Sequence, residues 1–313
     1  MPKFSVIIAT YNRAEYITAT LESLKAQEFK DFETVVVDDG STDNTLELLK
    51  RHSSWFRFFE EQNRGPGRAR NVAVSHATGE YLAFLDSDDI WFPWTLSTFA
   101  EVIKRHSNPT LVAAKLRLFW HDEELAAVRC EPLRVEAFRD YYASSHKRYF
   151  VGACMMVVRR DAFQKVGGFS ERRMYAEDCD LALRFGLVDG FVQIIAPATF
   201  GYRQHATNAS KDWAMINTGE MNLIAQERAG KYPGGPARKR ERVRLVTLHT
   251  RPFSIACLKN NHQQLGWRLY WATIGWHLRI FRWKYLFGFP AVALLCVLRP
   301  WRFQPDPGRK MTN

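Results

Sequence analysis

Cysteine is sparse in this chain, and apolar runs long enough to cross a membrane are missing from it. The five cysteines (Cys130, Cys154, Cys179, Cys257 and Cys296) are scattered, odd in number and form no CxxC pair, which argues against both a zinc site and a disulfide framework. Reduced cytosolic thiols fit this usage. The longest late apolar stretch, Phe287 to Leu298, is about half of the roughly 20 residues a bilayer span requires. Met1-Pro2-Lys3-Phe4 runs straight into a strand-like segment without a signal-peptide pattern. The expectation is a cytoplasmic protein, soluble or peripheral at the inner face of the cell membrane. GxGxxG and GxxxxGK(S/T) are also absent, so neither a dinucleotide fingerprint nor a P-loop is supported.

The 313 residues present leave room for one large α/β domain with an appendage, or for two domains. A formal charge of +11 admits nucleic acid, an anionic membrane surface or an anionic substrate as partner, and charge alone does not choose among them. Phe4 to Ala9 is a β-branched run of strand length, followed by Thr10-Tyr11-Asn12-Arg13 as a turn and by Ile17, Leu21 and Leu24 at helical spacing. Glu33 to Val37 leads into Asp38-Asp39-Gly40-Ser41 and a second helix, and Phe56 to Phe59 into Asn63-Arg64-Gly65-Pro66-Gly67-Arg68-Ala69-Arg70 and a third. This alternation predicts parallel strands joined by crossovers, with the functional loops gathered at one sheet edge.

The fourth unit centres the argument. Tyr81 to Leu85 reads as a buried strand, and Asp86-Ser87-Asp88-Asp89 follows at once, where open α/β sheets bind ligands. Three carboxylates in four residues repel one another unless a cation sits among them, and hard divalent cations are commonly shared between carboxylates and phosphates. Taken alone, the same residues also fit an acidic turn capping the next helix. Arg64, Arg68 and Arg70 at a Gly-rich helix start suit a phosphate, or simply an exposed helix N-terminus. Glu177-Asp178 opens a later helix, where the macrodipole alone would favour acids.

After Thr110 the pattern loosens. Leu111 to Leu118 and Phe150 to Val158 read as strands, and Asp122 to Lys147 as an aperiodic, acceptor-facing excursion. Phe191 to Ile195 and Thr199 to Tyr202 read as closing strands before the loop Arg203 to Ser210. Beyond Gly230 the composition shifts. Lys231 to Arg244 reads as a basic linker, followed by helices over 244–259, interrupted near Pro252, and over 263–283. Trp267, Tyr270, Trp271, Ile274, Leu278 and Phe281 at helical spacing beside arginines suit an interfacial helix on anionic lipid, or equally a helix packed on the catalytic domain or on a second subunit. No nucleic-acid recognition motif accompanies them.

Taken jointly, SVIIATYNR, VVVDDGSTDNT, NRGPGRARN, LDSDD and AEDCDLALR resemble the family 2 glycosyltransferases over about residues 3 to 210, in the family's order. The resemblance implies a GT-A fold: a Rossmann-like mixed sheet flanked by helices, here with a C-terminal helical appendage. It implies a catalytic domain over 1–229, with a nucleotide-binding half (1–109) and an acceptor half (110–229), and a separate basic, aromatic region over 230–313. Residue by residue, Thr10, Tyr11, Arg13 and Asp39 would hold the nucleotide base, and Arg64 and Arg70 the nucleotide or diphosphate. Asp86 and Asp88 match the DXD positions around a divalent cation, Mn²⁺ or Mg²⁺, with His205 nearby. Asp178 would be the general base of an inverting transfer, with Glu177 beside it. Arg279-Ile280-Phe281-Arg282-Trp283 carries Arg where processive members have Gln, so the resemblance implies single-sugar transfer. The expected activity is hexosyl or N-acetylhexosaminyl transfer from a nucleotide-sugar donor, a UDP-sugar, to a saccharide or lipid-linked saccharide acceptor in bacterial surface polysaccharide or lipopolysaccharide synthesis. A membrane surface and self-association are further candidate partners; nucleic acid is not expected. A nucleotidyltransferase and a non-catalytic binding protein of the same fold are the alternatives.

Overall fold

A computed structural model of the chain describes residues 1–205, 208 and 212–298. Of the expected Arg203–Ser210 loop, Ala206, Thr207, Ala209 and Ser210 lie outside the described residues, as does the stretch 299–313 of the C-terminal region. The chain divides into two compact units, Met1–Asn208 and Ala209–Asn313, about twenty residues ahead of the division anticipated at 229.

In the first unit, strand and helix alternate from the start: β1 (Phe4–Thr10), α1 (Ile17–Lys25), β2 (Phe32–Asp38), α2 (Thr45–His52), β3 (Arg57–Glu60), α3 (Pro66–Ser75) and β4 (Tyr81–Asp86). β1 lies between β2 and β4, parallel to both, and β3 continues the parallel array beyond β2. Covered on both faces, these strands read as continuous apolar runs rather than alternating ones; Val6, Ile7, Ile8, Val35, Val36, Val37, Leu82 and Ala83 are all fully buried. Thr10 is level with Asp38 and Ala9 with Asp86, so the three following loops emerge at one edge.

Past β4 the sheet becomes mixed. A two-residue strand β5 (Ile90–Trp91) precedes α4 (Thr95–Arg105), which buries Leu96, Phe99, Val102 and Ile103. The strand expected over Leu111–Leu118 is two, β6 (Leu111–Ala113) and β7 (Leu116–Phe119). The break falls at Lys115, whose backbone leaves the ladder to bond Thr199: its carbonyl accepts the Thr199 amide at 2.8 Å, and its own amide donates to Thr199 Oγ1 at 3.2 Å. The excursion before Lys147 contains an unanticipated strand, β8 (Arg134–Phe138), lying at the sheet edge with mixed exposure that leaves little periodic signal. Only the end of the expected Phe150–Val158 strand is extended, as β9 (Met156–Arg159). It runs antiparallel to both β4 and β6. With β10 (Phe191–Ala196) the eight-stranded order is β3-β2-β1-β4-β9-β6-β10-β8, while β5, β11 (Phe200–Arg203) and β7 form a separate three-stranded sheet. α5 (Arg160–Val166) ends on a left-handed Gly167, and α6 (Glu177–Arg184) follows.

The second unit is helical: α7 (Trp213–Arg228), α8 (Lys239–Lys259), α9 (Gln263–Arg279) and α10 (Trp283–Leu298). The last part of the stretch anticipated as linker, from Lys239 on, is the start of α8. Its Arg242 is buried and donates to both carboxylate oxygens of Glu227, at 2.7 and 3.2 Å, and to the Pro233 and Gly235 carbonyls. α8 also continues through Pro252, where burial of Val246, Ser254, Cys257 and Leu258 outweighs the missing amide bond. The chain breaks instead at Phe281, which has φ 56°, so Trp283 begins a third helix rather than ending the second. No helix among the described residues is long and apolar enough to cross a membrane.

Candidate active site

The loops after β1 and β2 staple one another. Asn12, in a left-handed conformation, donates its amide to Ser41 Oγ at 2.9 Å and accepts the Thr42 amide at 2.8 Å, while the Arg13 amide donates to Thr45 Oγ1 at 2.8 Å. Asp39 fixes the third loop: its two carboxylate oxygens accept the Arg64 and Gly65 amides at 3.0 and 2.8 Å. Gly65 has φ 101°, a conformation open to glycine and strained for other residues. A Cβ on Gly67 would meet the Ser170 carbonyl oxygen at 2.5 Å, so the start of α3 lies tight against the segment leading to α6. Thr10 is buried and its hydroxyl has no hydrogen-bond partner among the described residues, whereas Tyr11 is 38% exposed. The Arg64 side chain is exposed.

Arg70 does not face solvent. Its guanidinium is buried, donating to Asp86 Oδ1 at 2.8 Å and to Glu177 Oε1, 107 residues further along the chain, at 2.7 Å, and so ties the acidic loop after β4 to the acidic start of α6. A parallel clamp holds Asp88: its Oδ2 accepts from Arg13 Nε at 2.9 Å and lies 3.0 Å from His205 Nε2. The His205 ring stacks on Tyr16 with centroids 4.7 Å apart, and Asn208 Oδ1 accepts the His205 amide at 2.7 Å. Arg203 donates its amide to Asp89 Oδ1 at 3.0 Å and its Nε to the Asp88 carbonyl at 2.9 Å, with its guanidinium over the Phe119 and Tyr16 rings. Asp178, at the start of α6, accepts the Ala153 amide on Oδ2 at 3.1 Å and the Cys179 amide on Oδ1 at 2.7 Å. Thus Arg13, Asp88 and His205 meet at one point, and Arg70, Asp86 and Glu177 at another. Asp178 is close enough for its charge to act on both Asp86 and Glu177.

The charges respond accordingly. Burial and the neighbouring Asp88 push the Asp86 carboxyl up against the opposing pull of Arg70. Asp89 is raised well above the ordinary range by burial and by the charges of Asp88 and Asp86. Burial also favours the neutral form of Asp88, but the His205 contact and the Arg13 charge outweigh it and hold this carboxyl below its usual range. Glu177 is pushed up to about 7 by burial and by Asp178. Carboxylates crowded in this way are what a hard divalent cation requires. Asp86 Oδ2 and Asp88 Oδ1 accept no hydrogen bond among the described residues. A second set of ligand atoms, from Asp86, Asp89 and Cys154, lies within 4.8 Å of one another. Burial and the adjacent acids push the Cys154 thiol well up, which makes it a poor ligand for that class of ion. Tyr16 and Arg203 reach His205 and Asp88 through tertiary packing, whereas Asn208 meets His205 within the Arg203–Ser210 loop; none of the three carried a site signal of its own in the sequence.

These loops and the sheet that carries them can be set beside known proteins. The model for glycosyl transferase family 2 matches residues 5–167, just over half of the chain. The chain belongs to that family. It is 43% identical over 118 residues to the poly(ribitol-phosphate) beta-N-acetylglucosaminyltransferase TarS of Staphylococcus aureus, a match covering 36% of this chain and 21% of that relative. An uncharacterized glycosyltransferase of Rickettsia typhi is 27% identical over 192 residues, 59% of this chain and 58% of its own length. The matched stretch therefore spans about a fifth of TarS, and somewhat more than half of the Rickettsia protein. Among solved structures, S. aureus TarS 1–349 in complex with UDP-GlcNAc superposes with a TM-score of 0.65 at 22% identity, covering 95% of this chain and 92% of that one. The mannosyltransferase PcManGT from Pyrobaculum calidifontis, in complex with GDP-Man and Mn²⁺, gives 0.57 at 21% identity, covering 96% and 88%. At such identities these likenesses establish the GT-A fold, with its mixed sheet and flanking helices.

Proposed function

We propose that the protein is an inverting, divalent-cation-dependent glycosyltransferase that moves one sugar from a UDP-sugar to an acceptor hydroxyl in the assembly of a bacterial surface polysaccharide. The observation carrying this reading is the Arg70 bridge, which brings the acidic loop of β4 and the acidic start of α6 into one charge network. Tyr11 and Thr10 face the donor base, with Asp39 setting the loop around it and Arg64 supplying charge to the diphosphate. Asp86 and Asp88 hold the cation, and His205 orients Asp88. The chemistry a divalent cation supplies at such a site is neutralisation of the charge that develops on the leaving diphosphate. Asp178, its orientation fixed by two backbone amides, takes the proton of the attacking hydroxyl. The attack comes from the face opposite the leaving group and inverts the anomeric centre. The donors named for the structural neighbours, UDP-GlcNAc and GDP-Man, make uridine and guanosine the first bases to test.

The test is a thermal-shift screen of UDP, GDP, dTDP and CMP, each with Mn²⁺, Mg²⁺ or EDTA, since binding to the native state raises its stability. A cation-dependent shift with one nucleotide supports the donor site and names the base; no shift with any of them overturns it.

The charge distribution supports a second partner. Residues 1–208 carry 26 basic and 28 acidic side chains, and residues 209–313 carry 18 and 5, so the positive excess resides wholly in the C-terminal unit. Its α9–α10 segment exposes Trp271, Phe281, Trp283, Phe287, Leu294 and Leu298, with Arg279 and Lys284 among them. That combination fits the headgroup boundary of an anionic bilayer.

A further inference from the structure

Cys154 has no part in the donor site as proposed. It is a buried residue of the short turn Ala153–Met155, just ahead of β9. Because β9 runs antiparallel to β4, with Tyr81 opposite Arg159 and Ala83 opposite Val157, the same register carried forward sets Asp86 level with Cys154. The side chains meet accordingly: the Cys154 sulfur and one carboxylate oxygen each from Asp86 and Asp89 lie within 4.8 Å of one another. Asp88, clamped by Arg13 and His205, is outside this group. A second observation concerns Asp89, which is 1% exposed. Its Oδ1 accepts the Arg203 amide, but its Oδ2 is buried with no hydrogen-bond partner among the described residues. A carboxyl oxygen in that position is costly unless a proton or a cation meets it. The Asp86 side chain keeps 29% of its surface, which gives an ion a way in from solvent.

We propose that Asp86, Asp89 and Cys154 form a second cation site, selective for a thiophilic divalent ion of the zinc class, which competes for Asp86 with the cation of the donor site. Hard ions such as Mg²⁺ and Mn²⁺ take oxygen ligands and gain little from sulfur, whereas Zn²⁺ combines thiolate and carboxylate readily. On binding, the Cys154 S–H bond breaks, its proton passes to solvent and the sulfur bonds the ion; the two carboxylates supply the other protein ligands. Three protein ligands leave a further position for water on the side open past Asp86. The consequence is inhibition by zinc, because Asp86 drawn towards Cys154 is withdrawn from the ion that accompanies the diphosphate. That competition rests on Asp86 holding the donor cation; the existence of the thiolate site does not.

The test uses the full-length, reduced chain carrying Cys130→Ser, which removes the exposed thiol, and probes it with Zn²⁺ and Cd²⁺. X-ray absorption at the zinc edge should find one sulfur neighbour at about 2.3 Å, with oxygen making up the rest. Titration with Cd²⁺ should raise a thiolate-to-metal charge-transfer band that saturates at one ion per chain. Cys154→Ser should abolish the band, Asp89→Asn should weaken Cd²⁺ by about tenfold or more, and Cys257→Ser should change nothing. Zn²⁺ should also diminish the thermal shift given by UDP and Mn²⁺, and Cys154→Ser, which keeps that shift, should resist the effect. A zinc shell without sulfur, a band that survives Cys154→Ser, or Cd²⁺ binding indifferent to Asp89→Asn overturns the site. Zinc bound through sulfur that leaves the Mn²⁺-dependent shift untouched overturns the competition. Absence of any shift with UDP and Mn²⁺ in the parent chain removes the donor reading instead, and the sulfur signal still decides the site.

Discussion

Arg70→Met is the most informative single change in this protein. The substitution keeps the volume of the side-chain stem and removes one buried positive charge from between Asp86 and Glu177, at 2.8 and 2.7 Å. At an effective dielectric of 20, each contact represents about 6 kcal/mol of gross Coulomb attraction, most of it offset by the cost of burying the groups. Removing one partner of such a pair strands Glu177 with little solvent and Asp86 with only part of its hydration, with a net loss of about 3 to 5 kcal/mol. For a unit of this size that corresponds to a fall in Tm of roughly 6 to 20 °C. The loss should also depend on pH. Without Arg70 the relief available is protonation, and Glu177, already pushed up by burial and by Asp178, takes a proton first, so the deficit should be larger at pH 8 than at pH 6. Thermal unfolding followed by circular dichroism, in EDTA at both pH values, measures it. Arg70→Lys, which keeps the charge but cannot span both acids with a planar fork, should fall between. A fall of less than about 2 °C at pH 8, or a deficit equal at the two pH values, would refute the claim that this guanidinium holds the two acidic segments together.

Asp178→Asn should lower the transfer rate by about 10² to 10⁴, the range for loss of a positioned base, while leaving the thermal shift with UDP and Mn²⁺ intact; an unchanged rate of UDP release would remove Asp178 from the chemistry. Glu177→Gln addresses pH dependence. Because the folded-state pKa of Glu177 lies above its ordinary 4.5, at about 7, the group adds stability that is fully present below 4.5 and is lost as pH rises through 7. The wild type should therefore lose up to about 3 kcal/mol across that window and the glutamine variant should not, which Tm measured at pH 5 and pH 8 decides. Sedimentation with phosphatidylglycerol vesicles should capture the protein at low salt and release it as salt is raised, with Phe287→Ser/Leu294→Ser binding less; equal capture by phosphatidylcholine vesicles, or indifference to salt, contradicts the membrane reading.

The parallel core was legible because its strands are buried on both faces. Runs such as Val6 to Ala9 and Val35 to Val37 have no other use in a chain of this composition, and the loops after them could be placed by topology alone. What escaped was decided by single tertiary contacts. Lys115 splits one apolar run into strands of two different sheets because Thr199, distant in sequence, takes its amide and carbonyl. Arg242 sits in a stretch whose composition reads as a solvated basic linker, yet it is buried because Glu227 lies opposite. The acids of the site were all visible as short motifs, but which base each would meet was not. Arg13 and Arg70 stand in motifs near the N-terminus and reach acids 75 and 16 positions away, distances at which no periodicity survives.

That pairing explains how so many carboxylates share one sheet edge. Asp88, Asp89 and Glu177 are buried and Asp86 is partly so, and unpaired they would repel one another at a cost comparable to a domain's net stability. Arg70 neutralises Asp86 and Glu177, while Arg13 offsets Asp88. The two guanidiniums each occupy one oxygen of a motif aspartate, Oδ1 of Asp86 and Oδ2 of Asp88. The opposite oxygens stay uncommitted among the described residues. A protein that used its arginines to cancel these acids outright would cover both oxygens of each with a bidentate fork. Covering one apiece instead pairs part of the charge and leaves one oxygen of each motif aspartate without a partner among the described residues, which is the arrangement the proposed cation and its diphosphate would need.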